Sequence, residues 1–144
     1  MAQQRLITHP EHCRDCQSCT LACSLYHEGE CHLGLARLSV EKNMAAYTFS
    51  ILVCRHCDDP DCVAACPNEA LHLDERGVAV LERELCLQCG ACAESCPYHA
   101  IFYNAERGLY LKCDLCAGWA GGPLCAQTCP VGAVEYAGQP EAVQ

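Results

Sequence analysis

Apolar residues in this chain come in short alternating pieces separated by turn residues, a pattern of narrow strands more than of long helices. Leu71 to Asp74 and Val78 to Leu81 flank the turn Glu75-Arg76-Gly77. Ile101 to Asn104 and Leu109 to Lys112 flank Ala105-Glu106-Arg107-Gly108. Both loops place glycine where a hairpin needs positive φ. Arg37 to Glu41 and Tyr47 to Val53 read as another strand pair, and helix is expected only in short pieces, such as Ser18 to Tyr26 and Gly90 to Ser95. The longest apolar run, Ala45 to Cys54, is interrupted by threonine and serine and reads as a strand. No run approaches the roughly 18 apolar residues of a membrane span.

A repeat organises these pieces. CPNEALHL, CPYHAIFY and CPVGAVEY share the pattern C-P-x-x-A followed by an apolar residue, and the first two lead into the hairpins. Cys54 to Val80 and Cys86 to Leu111 are therefore two copies of one unit. The expected class is α+β, and 144 residues make one domain or two small fused lobes.

Composition changes the picture. The hydrophobic fraction of 51% is inflated by 17 cysteines, and the aromatics are one Trp, six Tyr and two Phe. A chain with so little bulky apolar matter must fold largely around something its cysteines bind, and without it should be poorly ordered.

Sixteen of those cysteines form four motifs, each ending in C-x3-C. They are CRDCQSCTLAC (Cys13, Cys16, Cys19, Cys23), CRHCDDPDCVAAC (Cys54, Cys57, Cys62, Cys66), CLQCGACAESC (Cys86, Cys89, Cys92, Cys96) and CDLCAGWAGGPLCAQTC (Cys113, Cys116, Cys125, Cys129). Three run on into proline, at Pro67, Pro97 and Pro130. The third is the C-x2-C-x2-C-x3-C-P run that holds cubane iron–sulfur clusters. Two-residue gaps let one tight loop wrap three corners of a cubane while its amides point inward. The fourth cysteine lies a helical turn further on and ligates the other cluster of a pair. The proline then stops the helix and turns the chain outward. The longer gaps, Asp58 to Asp61 and Ala117 to Leu124, lengthen a loop without losing a ligand. Four such motifs imply four [4Fe-4S] clusters, more redox metal than one active site needs, arranged as a wire.

Two other readings of dense cysteine compete: a secreted disulfide scaffold and structural zinc. The start MAQQRLITHPEH shows no apolar stretch and no twin arginine, which predicts a cytoplasmic chain and speaks against disulfides. Zinc usually pairs two C-x2-C knuckles and does not explain four C-x3-C endings. The formal charge of −9 repels nucleic acid and anionic membranes, and it suits docking on a basic patch of a redox partner. No P-loop or GxGxxG turn is present.

The two inner copies together read as the pseudo-twofold βαββαβ core of a bacterial two-cluster ferredoxin, the inner lobe at 54–112. The outer motifs would build a second, interlocked lobe from 5–53 plus 113–137. The motif order, and especially KCDLCAGWAGGPLCAQTCP with Gly122-Pro123 before its third cysteine, resembles the four-cluster electron-transfer subunits of molybdenum and tungsten oxidoreductases. CSLYHEGE followed by ARLSVEK resembles a compact branch serving tungsten aldehyde oxidoreductases, carbon monoxide dehydrogenases and related enzymes. The chain departs from the family in lacking proline after Cys23. The resemblance implies interlocked ligation. Cys13, Cys16 and Cys19 would share a cluster with Cys129, and Cys113, Cys116 and Cys125 with Cys23. Cys54, Cys57 and Cys62 would join Cys96, and Cys86, Cys89 and Cys92 would join Cys66.

Other residues stay open. Cys31 in GECHLG reads as a free loop thiol, or as a fifth metal contact with His27 or His32. His56 lies inside the second motif beside four sufficient cysteines and reads as support for them. Arg14, Arg55 and Lys112 each adjoin a ligand and are either solvated or tuning a cluster. Trp119, in the long fourth loop, packs, shields a cluster or meets a partner. The expected protein is a non-catalytic electron carrier, bound to a larger redox subunit and a second donor or acceptor. Its alternatives are a carrier for carbon monoxide dehydrogenase, hydrogenase or formate dehydrogenase, a catalytic enzyme, or an iron–sulfur sensor or structural zinc module. Two conductive ends also allow copies to join end to end.

Overall fold

Short strands with few bulky residues cannot assemble one wide sheet, and the computed structural model, which describes residues 4–138, shows four two-stranded antiparallel sheets instead. β1 (Arg5–Thr8) is followed by α1 (Ser18–Glu28), then the pair β2 (Leu38–Asn43) and β3 (Thr48–Val53). α2 (Asp61–Ala65) precedes the hairpin of β4 (Leu71–Leu73) and β5 (Ala79–Leu81). α3 (Ala91–Ser95) precedes the hairpin of β6 (Ile101–Asn104) and β7 (Leu109–Lys112). α4 (Leu124–Thr128) leads to β8 (Val134–Ala137), which returns to pair with β1, Leu6 opposite Tyr136. The α+β class holds.

The differences from the sequence reading have local causes. The first hairpin is one residue shorter on each side because the Asp74 carboxylate accepts the N–H groups of Arg76 and Val78, at 2.9 and 3.0 Å, and draws them into the turn. α1 runs two residues past Tyr26, to where Gly29 takes a φ of 77° and returns its N–H to the Leu25 carbonyl. The strand of the third C-P-x-x-A copy, β8, pairs with β1 from the other end of the chain.

The core is built on sulfur as much as on carbon. Leu6, Leu38, Val53, Val78, Ala100 and Val134 pack with Cys23, Cys54, Cys113 and Cys125. A smaller cluster joins Leu71, Cys92 and Ile101. Few large apolar side chains are fully buried, Leu35, Leu71 and Leu111 among them, so the cysteines occupy what would otherwise be the hydrophobic centre.

Candidate metal centres

The opening C-x2-C turn of every motif is built the same way. The residue just before its second cysteine has a left-handed backbone: Asp15 (φ 56°), His56 (47°), Gln88 (56°) and Leu115 (58°). Such a residue aims consecutive amides into one concavity, a nest for negative charge. The N–H groups of Asp15, His56 and Leu115 accordingly donate to the sulfurs of Cys13, Cys54 and Cys113, at 3.5, 3.4 and 3.4 Å.

The C-P-x-x-A segments repeat the device at the other end of the motif. Glu69, His99 and Gly132, three residues after Cys66, Cys96 and Cys129, also have positive φ. The following N–H groups of Ala70 and Ala133 return to Cys66 and Cys129, at 3.3 and 3.2 Å. Burial pushes the Cys66 and Cys129 thiols up, yet the backbone N–H groups that follow each outweigh it and hold both below their ordinary value.

These turns bring cysteines of different motifs together. One cavity is lined by Cys86, Cys89 and Cys92 together with Cys66. A second holds Cys54, Cys57 and Cys62 with Cys96. A third holds Cys13, Cys16 and Cys19 with Cys129. Cys23, Cys113, Cys116 and Cys125 are all buried, and after burial itself the neighbouring thiols of Cys113, Cys116 and Cys23 push Cys125 up furthest. All seventeen cysteines are free, and among the described residues no three His, Cys, Asp or Glu side chains converge as on a single ion.

Burial raises Cys19 and Cys62 to about 11 and Cys23 to about 12. Thiols raised this far keep their protons at neutral pH until a metal displaces them. The donor set therefore fits iron–sulfur clusters: four sulfurs facing one space, with backbone N–H groups aimed at sulfur.

The remaining candidates divide. Lys112 is buried and its Nζ lies 3.1 Å from the Cys54 sulfur. Arg14 spends its guanidinium on the carbonyls of Glu11, His12 and Cys13, and Arg55 lies over the Tyr98 ring, 4.2 Å from its centroid. His56 is buried in the second motif, and that burial, with Lys112 and Arg76 nearby, pushes it down to about 3, so it is neutral. Trp119 packs edge-on against Tyr26, whose hydroxyl donates to the Ala117 carbonyl, and it keeps one side exposed. Cys31 is exposed. His27 turns to Asp114 and Cys116 instead, at 3.5 and 3.8 Å, and His32 accepts from Gly34 N–H.

Three site residues escape sequence reasoning. The Arg37 backbone N–H donates to the Cys23 sulfur at 3.2 Å, and its side chain pairs with Asp114 at 3.3 Å. Asp114 in turn accepts the Cys116 N–H at 3.0 Å. Tyr110 lines the cavity of Cys86, Cys89 and Cys92. An acid inside a C-x2-C was a usable signal for Asp114; nothing local marks Arg37 or Tyr110.

A family model described as a 4Fe-4S dicluster domain matches residues 45–139, and a 4Fe-4S binding domain model matches residues 10–26. The chain belongs to the 4Fe-4S dicluster domain family. This dicluster protein is 36% identical over 140 residues to the probable anaerobic dimethyl sulfoxide reductase chain YnfG of Escherichia coli (strain K12), covering 86% of this chain and 68% of that one. It is 30% identical over 149 residues to the thiosulfate reductase electron transfer subunit PhsB of Salmonella typhi, covering 94% and 77%. It is 40% identical over 106 residues to a tetrathionate reductase subunit of Archaeoglobus fulgidus, covering 72% and 50%. Among solved structures, the active site complex BamBC of benzoyl coenzyme A reductase with benzoyl-CoA matches at TM-score 0.56 and 25% identity, over 92% of this chain and 77% of that one. The resemblance carried by the motifs holds: the chain is an iron–sulfur electron-transfer subunit of the molybdenum oxidoreductase kind. No helix among the described residues is long and apolar enough to cross a membrane.

Proposed function

We propose that the sixteen motif cysteines hold four [4Fe-4S] clusters in the interlocked pairing, and that the chain relays electrons without a catalytic site of its own. The observation that carries this reading is the lining of the cavities, each mixing three cysteines of one motif with the fourth of another. The same linings support an inner two-cluster ferredoxin-like lobe at 54–112 and an outer one from 5–53 plus 113–137. When bound, each cluster supplies a one-electron couple; the protein supplies placement, burial and tuning. Cys16 and Cys89, in two different cavities, are the exposed members of the set, while all four members of the Cys23 group are buried. That gradient suits a row with two accessible ends, one for a catalytic subunit and one for a second donor or acceptor.

The partner we infer is a larger molybdenum or tungsten oxidoreductase subunit, with the tungsten aldehyde type suggested by CSLYHEGE and ARLSVEK. A second reading is favoured by the relatives' names: a partner that reduces a sulfoxide or a sulfur oxyanion. We place the chain in the cytoplasm, supported by its free thiols, and we include end-to-end association of copies, a heterologous contact. Anaerobic analysis of the native protein should find about sixteen iron and about sixteen sulfide per chain with negligible zinc. About eight iron, or mostly zinc, would refute the four-cluster reading. Co-purification identifies the partner, and native mass of the complex reports whether copies join.

A further inference from the structure

Lys112 closes β7 one residue before the ligand Cys113, and only 2% of it is exposed. Its Nζ donates to the Cys54 sulfur at 3.1 Å, the Ala79 carbonyl at 2.6 Å and the Cys113 carbonyl at 3.1 Å. An ammonium group has three protons and no lone pair, so three acceptors in contact match its charged form. None of these partners is a carboxylate, and a buried cation without an anion is unfavourable unless something nearby carries the compensating charge. The group in contact able to do so is the Cys54 sulfur together with what it binds. The position is also a boundary: Lys112 joins the inner segment to the fourth motif, and the Cys54 thiol is, after burial, the strongest influence raising its neighbour Cys113.

We propose that Lys112 sets a potential: its charge, held against the Cys54 sulfur where the inner segment meets the fourth motif, raises the reduction potential of the cluster on Cys54, Cys57, Cys62 and Cys96 above what that site would otherwise have. This rests on the four-cluster reading. Accepting one electron adds one negative charge to the site, and a cation fixed on its ligand favours that state; no proton moves, because Lys112 carries its charge before and after. The other cations adjoining ligands do not share this placement, since Arg14 bonds to backbone carbonyls and Arg55 stacks on Tyr98.

The test uses the full, cluster-loaded protein. Lys112→Gln keeps an amide donor but removes the charge, and Lys112→Arg keeps the charge. Each is reduced stepwise with dithionite under electron paramagnetic resonance, and iron and sulfide are counted beforehand. In the Gln variant one couple should fall by a tenfold change in its reduced-to-oxidised ratio, about 59 mV for one electron. The other three should stay, and the Arg variant should restore the first. Cys57→Ser marks the affected site, because it must alter the signal of that same couple. Four unmoved couples in a loaded Gln variant, or movement of a couple that Cys57→Ser leaves untouched, overturns the proposal. A Gln variant that fails to load while the Arg variant loads fully also overturns it, since Lys112 would then be a structural group. A wild-type iron count near eight instead defeats the four-cluster reading itself.

Discussion

The first motif and the other three end differently, and the difference shows what the proline after a fourth cysteine does. In α2, α3 and α4 the helix stops after five residues, and Cys66, Cys96 and Cys129 take extended backbone with ψ of 115°, 114° and 114°. The chain turns back three residues later, and at Cys66 and Cys129 its own amides reach the sulfur. Cys23 has no proline after it, so α1 continues to Glu28 and the next few amides stay in the helix instead of folding back. Its sulfur takes the Arg37 N–H from a segment 14 residues away. Ser24, standing where the others have proline, is fully buried; its hydroxyl donates to the Leu21 carbonyl and accepts the His32 N–H. The second and fourth motifs are locally self-sufficient at that corner, and the first depends on tertiary packing.

Forcing the first motif into the pattern of the others is the harshest way to break this contrast. Ser24→Pro removes a helical N–H and both hydroxyl contacts, and it sets the ring against the Thr20 carbonyl, which should cost about 3 kcal/mol or more. Denaturant unfolding should show that loss, and iron should leave the sites served by Cys19 and Cys23 before the inner two. Equal loss from all four sites would mean that the motifs are not separately supported.

A milder comparison lies at the helix starts. Gly90 and Gln17 hold equivalent left-handed positions, φ 78° and 63°. A Cβ on Gly90 would meet the Tyr110 hydroxyl at 2.8 Å, while Gln17 is anchored by bonds to Asp15 and Thr20. Gly90→Ala should cost about 1–2 kcal/mol, from backbone strain plus this contact. Adding Tyr110→Phe should recover the contact part in a double-mutant cycle, and additive effects would show that Tyr110 is not the obstacle.

Pro67→Ala should be the smallest. The amides that reach Cys66 do not depend on the ring, so the stability change should stay within about 1 kcal/mol in thermal unfolding. A loss above about 2 kcal/mol would show that the proline itself holds the corner.

The hairpins were legible because alternation and a turn glycine coincide: Gly77 and Gly108 have φ of 76° and 60°. The strand pair of β2 and β3 was legible from its own alternation, with its ends shifted by a residue or two. The β1–β8 pairing was not, since two four-residue strands at opposite ends of the chain carry no local sign of each other. Among Arg14, Arg55 and Lys112, adjacency to a cysteine made three equal candidates; only packing shows which cation is buried against sulfur.

What the sequence by itself determined is the local chemistry: ligand spacing, the tight turns within each motif, and the prolines that end three helices. Those follow from backbone sterics over a few residues. Which cysteines line a common cavity, which carboxylates and cations reach them, and how Cys23 is served are decisions of the tertiary structure. They depend on segments far apart in the chain being packed together, and desolvation at that meeting point, not residue type, sets how strongly each charge is felt.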